Sequence, residues 1–176
     1  MGSLKEIKTR INSVKSTQKI TSAMKMVSSA KLSKAQRTIE NFYPYQQKIQ
    51  DLLRHLLASA NHEVETLYAE KRELRKVAIV VFASNASLCG GFNSNVVKKL
   101  AEVIAGYQHL GMENILIYPV GKQVSKACKK NGYTIPESFD ELTDKPSYNE
   151  SLRLADVLMS GFENHDFDKV DLLYYH

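Results

Sequence analysis

The sequence predicts an α/β protein in which a long N-terminal helix precedes a three-layer α/β domain. Three observations carry that prediction. Residues from Leu4 to about Ser59 contain no Gly and a single Pro, with apolar residues recurring at three- and four-residue steps. Two continuous apolar runs rich in β-branched residues, Val77–Ala83 and Ile115–Val120, read as strands covered on both faces. Amphipathic segments separate them, which is the alternation of a parallel sheet layered with helices. The 176 residues suffice for one domain, or for a smaller domain with a long appendage.

The helical arm comes first. Leu4, Ile7, Ile11 and Val14 form one stripe; Ile20, Met24 and Val27 continue it with a shifted phase, and Ala35, Phe42, Ile49, Leu53 and Leu56 take it up again. The drift predicts a gently wound stripe of coiled-coil type, not a strict heptad seam. Ser3 with Glu6 three residues later has the form of a capping box. A helix of this length reaches about 80 Å at 1.5 Å per residue. Pro44 removes one backbone hydrogen bond inside it and is expected to bend it, with helix on both sides. Such a helix draws most of its stability from packing, so its stripe calls for a second helix that this sequence does not obviously contain.

A polar, charged linker follows over residues 60–75, with Leu67 and Tyr68 as docking residues. The α/β domain is then expected over residues 76–176, truncated at its C-terminus. After the first strand, Asn93–Leu110 reads as a helix with Val96, Val97, Leu100, Val103 and Ile104 inward and Gly111 closing it. After the second, Lys122–Lys130 reads as a helix that Gly132 ends, and Tyr133–Ile135 as a short strand. Tyr148–Phe162 is a third helix, with Leu152, Leu154, Ala155, Leu158 and Met159 apolar. Val170–Tyr175 is a further, buried-type strand on which the sequence stops without a capping element.

Composition narrows the function. The 43% apolar and 24% charged residues fit a soluble globular chain, and no run approaches the roughly 20 apolar residues of a membrane span. The N-terminus has no apolar signal core, which predicts a cytosolic chain. Cys89 and Cys128 stand far apart without metal-ligand spacing, so neither a disulfide framework nor a zinc site is expected. The net charge of +5 hides an asymmetry: residues 1–37 hold nine Lys/Arg against Glu6 alone, leaving the other 139 residues at −3. Such an arm seeks nucleic acid, an anionic membrane or an acidic protein surface. Residues 1–41 contain no aromatic residue to stack on bases, and the stripe lacks the bulky residues of interfacial helices; an acidic protein partner fits best.

The place to look for chemistry is the loop Ser84–Asn93 after the first strand, because ligands collect at the carboxyl ends of α/β strands. It carries neither GxGxxG nor the Lys and Ser/Thr of a phosphate-binding loop. A tight strand-to-helix turn needing Gly90 and Gly91 is the simpler reading. Cys89 lies at a helix N-terminus, but His55, His62, His109, His165 and His176 lack any context that makes one its base. Asp140, Glu141 and Asp144 read as a solvated loop. No acid–base, metal or cofactor site is expected.

Residues 4–32, LKEIKTRINSVKSTQKITSAMKMVSSAKL, resemble the N-terminal signature of the γ subunit of F-type ATP synthases. A second block, LCGGFNSNV at Leu88–Val96, resembles that family's strand-to-helix turn, and the VDLLYY strand at Val170–Tyr175 falls where the family has one. The resemblance implies a Rossmann-like foot domain. It also implies a central, non-catalytic rotor shaft that couples ion-driven rotation to ATP synthesis in the ring of alpha and beta subunits, and that regulates ATPase activity and ion flow. By the same resemblance Lys15, Lys19, Ile20, Met24, Lys25 and Met26 lie where the beta subunits push on the shaft, and Leu88, Cys89, Gly90, Gly91, Phe92 and Asn93 form a structural turn. The foot, including the part resembling Asn93–Tyr107, is implied to contact the epsilon subunit and the membrane c-ring. That places the protein peripherally on the cytoplasmic face of a bacterial inner membrane, held there through the complex, with no nucleic acid and no cofactor.

Two departures qualify the resemblance. The family turn reads Asp-Arg-Gly before Leu-Cys-Gly-Gly, where this sequence has Asn85-Ala86-Ser87. The family also continues through a C-terminal shaft helix, absent here, so the stripe is expected to be covered by a second copy or other neighbouring molecules, or else to fray. The alternative reading is a small nucleotide-binding α/β enzyme with a helical oligomerisation arm, which would bind nucleotide at Ser84–Asn93. A weaker one, a nucleic-acid binder, predicts affinity falling steeply with salt.

Overall fold

The computed structural model describes residues 3–59, 68, 72–144 and 146–175. The chain divides into two units, Met1–Val64 and Glu65–His176. The first consists of one helix, α1 (Leu4–Ser59), which passes through Pro44 without a break. Its start is the capping box expected from sequence: the Ser3 N–H donates to Glu6 Oε2 at 2.9 Å and the Glu6 N–H to Ser3 Oγ at 3.4 Å. Every side chain described in it is exposed, including Ile7, Ile11, Ile20, Met24 and Leu53. The helix is unbroken with its stripe uncovered, so the structure does not show the fraying expected of an unpaired shaft.

The second unit is built on a three-stranded parallel sheet in the order β2-β1-β3, with β1 at Val77–Phe82, β2 at Ile115–Val120 and β3 at Lys169–Leu173. β1 is central: Val77 pairs with Ile115 on one side and Lys169 on the other. Val77 to Val81 are fully buried, which explains why that segment is a continuous apolar run. Odd-numbered residues of β1 face α2 (Phe92–Gly106) and α3 (Lys122–Lys130), where Val96, Leu100, Ile104, Val124 and Cys128 close the core. Even-numbered residues face α4 (Tyr148–Glu163), against Leu154, Phe139, Leu142 and Phe167. The result is the three-layer, partial Rossmann-like architecture expected. α4 begins on its own cap, Ser147 Oγ accepting from the Glu150 N–H at 3.3 Å.

Several expectations need correction. α2 ends at Gly106, because Tyr107 leaves helical geometry and residues Gln108–Leu110 tighten into a 3-10 turn. Lys169 Nζ donates to the Tyr107 hydroxyl at 2.8 Å, and that hydroxyl donates to Asp171 at 2.5 Å, fixing the point of departure. The expected strand at Tyr133–Ile135 is a single bridge, Thr134 to Leu116, since Pro136 follows and has no N–H to extend the ladder. β3 is shorter than expected and is not of the buried type: Leu172 is 58% exposed, because among the described residues nothing pairs with the outer side of that strand. On α4, Leu154 is buried but Leu152 and Met159 are exposed.

The expected docking residue Leu67 lies outside the described residues. Tyr68 does dock: its hydroxyl donates to Glu163 and its ring lies 6.1 Å from that of Phe162. Arg72 also lies over Phe162, 4.2 Å from the ring centre, and donates to the Phe162 carbonyl at 2.6 Å. Asp168 fastens the entry to β1, accepting from the N–H groups of Arg75 at 2.8 Å and Lys76 at 2.9 Å. Burial pushes its carboxyl up, but those two N–H groups and the charges of Arg72 and Arg75 together outweigh it and hold the group below its ordinary value.

Asp168→Ala should therefore lower unfolding stability by about 1–3 kcal/mol at neutral pH. A carboxyl depressed in the folded state contributes fully above its unfolded pKa of about 3.9, and that contribution disappears as pH falls through the lower folded value. Urea unfolding midpoints of the two proteins should differ at neutral pH and converge at strongly acid pH. A difference that persists in acid would exclude this role for the carboxylate.

Candidate functional site

The loop after β1 lies at a topological switch point. α2 carries the chain from β1 to β2 on one face of the sheet, whereas α4 precedes β3 on the opposite face and the other flank of β1. Open α/β sheets usually receive a ligand in this crevice.

Here the crevice is filled from within. Asn85 is the plug: its Nδ2 donates to the Asp140 carbonyl at 2.9 Å and to Asp144 Oδ2 at 2.7 Å, while its Oδ1 accepts from the Lys122 N–H at 2.6 Å. Lys122 opens α3, so one of the backbone donors that would meet a phosphate at that helix N-terminus is already taken. Gln123 donates to the Asn85 carbonyl at 3.2 Å, and Thr143 to the Ala83 carbonyl at 3.4 Å. Ala83 and Gly121 touch closely: a Cβ on Gly121, whose φ is +121°, would sit 2.3 Å from the Ala83 oxygen. Asp140 and Asp144 bring carboxylates to the crevice, which disfavours an anionic ligand.

The expected turn residues form one self-bonded unit. Asn93 folds back over the loop, Oδ1 accepting from the Ser84 N–H at 3.0 Å and Nδ2 donating to the Ala86 carbonyl at 2.9 Å. Gly90 has φ +59°, the left-handed conformation that glycine adopts without steric cost. The Phe92 N–H closes the turn on the Cys89 carbonyl at 3.3 Å, and the Phe92 ring meets Tyr175 edge-on at 5.9 Å. Gly91 precedes α2 and its carbonyl accepts from the Asn95 N–H at 2.9 Å. Leu88 is 84% exposed. Cys89 is half-buried, its thiol donating to the Ala86 carbonyl at 3.5 Å. Cys128 is fully buried under α3, where burial pushes its thiol up to about 11.

The residues expected at the beta-subunit contact do not share one face. At about 100° per residue, Lys15, Lys19 and Met26 fall on one side of α1, Ile20 and Met24 lie well round from them, and Lys25 projects elsewhere. All six are exposed. They are spread round α1 over about 16 Å of its axis, a geometry that presents contacts in several directions. Sequence reasoning missed Asn85, Lys122, Thr143 and Asp144 as the crevice plug. The available signal was the amide of Asn85, which can donate two hydrogen bonds while its oxygen accepts.

A family model described as ATP synthase matches residues 3–176, essentially the whole chain. Similar curated proteins carry the name ATP synthase gamma chain. That of Phocaeicola vulgatus is 54% identical over 176 residues, covering 100% of this chain and 61% of the relative. The chain belongs to the ATP synthase gamma-chain family. The gamma chain of Azobacteroides pseudotrichonymphae is 44% identical over 178 residues, covering 100% of this chain and 61% of that one. The gamma chain of Christiangramia forsetii is 41% identical over 174 residues, covering 99% and 60%. The chain thus spans about 60% of the length of these gamma chains. No helix among the described residues is long and apolar enough to cross a membrane.

Two outcomes test this geometry. With a water-soluble maleimide at about pH 8, the native protein should react at Cys89, and Cys128 should react at least about a hundredfold more slowly until the chain is unfolded; equal rates would contradict the burial of α3. Asn85→Asp would lose both amide donations and set a second carboxylate against Asp144. It should cost about 1–3 kcal/mol at neutral pH, and the deficit should shrink in mild acid as the carboxylate pair gains a proton. A deficit independent of pH would leave Asp144 out of the plug.

Proposed function

We propose that this gamma-chain family member acts as a central rotor element of an F-type ATP synthase. It would couple ion-driven rotation to ATP synthesis in the catalytic ring and regulate ATPase activity and ion flow. The observation that carries this reading is a 56-residue helix with an uncovered apolar stripe and a strongly basic first half, in a chain matched throughout by the family model. Such a helix has meaning only inside a larger assembly, where other chains cover it.

In that assembly the alpha and beta subunits surround α1, with Lys15, Lys19, Ile20, Met24, Lys25 and Met26 at the beta-subunit contact. Lysines suit this role: they hold opposite charge at long reach without demanding a fixed geometry, so a contact can be made and released as the shaft turns. The turn Leu88–Asn93 keeps the foot rigid, and the foot meets the epsilon subunit and the c-ring. Catalysis belongs to the ring, and this chain contributes shape and charge. Membrane association at the cytoplasmic face of a bacterial inner membrane follows from the complex. Away from those partners, the stripe on α1 favours self-association through a second copy. The domain organisation that accompanies this reading is a shaft arm over residues 1–59, a linker over 60–75 and a foot over 76–176.

Co-elution with purified alpha and beta subunits tests the proposal. The chain should bind, and changing Lys15, Lys19 and Lys25 to Glu should weaken binding by at least about tenfold at moderate salt. The proposal fails if neither this chain nor a gamma chain extended to its relatives' full length binds.

A further inference from the structure

The α/β domain is electrostatically two-faced. The segment carrying α2 and α3, residues 92–136, holds six lysines against Glu102 and Glu113, whereas residues 137–168, which carry α4, hold nine carboxylates against Lys145 and Arg153. The two segments flank the sheet on opposite faces. Lys122, Lys126, Lys129 and Lys130 fall within about a 100° arc of α3, turned away from buried Val124 and Cys128. Lys98 and Lys99 are exposed on the neighbouring α2. Of these six, only Lys99 has an ion-pair partner among the described residues, Glu102 at 2.9 Å.

We propose that this lysine face is an electrostatic docking surface for anionic phospholipid, a direct contact that goes beyond membrane association through the complex and does not depend on the rotor reading. The chemistry of the face selects the partner. All six cations are Lys and none is Arg: compact charges on flexible stems, suited to a fluid layer of headgroups that offers no fixed carboxylate geometry. The apolar side of α3 is spent in the core, so contact would be made at headgroup level without insertion. Four charges lie within about 12 Å of helix axis, the local density at which basic clusters hold to anionic lipid. The acidic α4 side is repelled by the same surface, so the domain would bind in one orientation.

The test uses the whole chain with vesicles of phosphatidylcholine alone or containing about one-third phosphatidylglycerol, at about 0.1 M salt. One variant carries Lys122, Lys126, Lys129 and Lys130 changed to Gln. A control loses the same charge from α1, with Lys5, Lys8, Lys15 and Lys19 changed to Gln. All eight side chains are exposed, so both variants should fold, and circular dichroism checks that they do. The α3 variant should bind the anionic vesicles at least about tenfold more weakly than the parent, and the control less than about threefold. Lysine acetylation read by mass spectrometry should show protection of the α3 lysines on anionic vesicles only. Equal losses in the two variants, or protection confined to α1, would overturn the proposal. So would protection of these lysines by alpha and beta subunits in the absence of protection by vesicles, which would assign the face to an acidic protein.

Discussion

The α/β domain depends on one constraint: β1 must be covered on both faces and paired on both edges. Its five residues from Val77 to Val81 have no exposed surface, and each large aliphatic side chain among them contributes about 1.5–3 kcal/mol by burial. Because alternate residues point to opposite faces, that single strand recruits two helical layers at once, α2 with α3 on one side and α4 on the other. The chain must therefore change faces between α3 and α4. It does so along residues 131–147, where Phe139 and Leu142 drop into the second core and Thr134 touches the sheet for one bridge only. The switch-point crevice is a by-product of this crossing.

What fills the crevice distinguishes this α/β domain from a nucleotide-binding domain of similar layering. A dinucleotide-binding sheet leaves helix N-termini open to phosphate. This one uses Asn85 to join three segments distant in sequence: the β1 loop, the start of α3 and the 140–144 turn. An amide is suited to that place because it donates to a carbonyl and a carboxylate while accepting from an N–H. The resembling family has Asp followed by Arg-Gly where this chain has Asn85-Ala86-Ser87. With Asp144 2.7 Å from the Asn85 amide, a carboxylate at position 85 would need a cation to offset the repulsion, and Ala86 supplies none. The loss of the charge pair and the presence of the amide are thus physically consistent with each other.

Much of the fold was legible in the sequence because its signals are local. The period of α1, its capping box, the apolar run of β1 and the exact span of α3 depend on neighbours within a few residues. The misjudged features depend on distant ones. Whether Val170–Tyr175 is buried depends on what pairs with its outer edge, and no pattern within the segment reports that. Phe139, Leu142 and Phe167 belong to the core but stand in irregular stretches without periodicity, so nothing in their spacing marks them. The turn Leu88–Asn93 was readable from Gly90-Gly91, whereas the Asn85 plug was not, because its partners lie 37 to 59 residues away.

The two units meet the demands of burial in opposite ways. The foot closes its cores and its crevice with its own residues, including the Asp168 clamp and the Tyr68–Arg72 cover on Phe162. α1 closes nothing. Intrinsic propensity holds an isolated helix only marginally, and Ser, Thr and Gln interrupt the apolar positions of its first half. Thr9, Thr17, Thr21 and Thr38 bond back to carbonyls one turn earlier, which satisfies their hydroxyls but adds no tertiary cover. In the proposed assembly the missing stabilisation comes from chains along the stripe, and the excess of Lys and Arg on residues 1–37 favours acidic surfaces on them. Burial thus separates the two units: the α/β domain completes its cores with its own residues, whereas α1 leaves its apolar positions open along its described length.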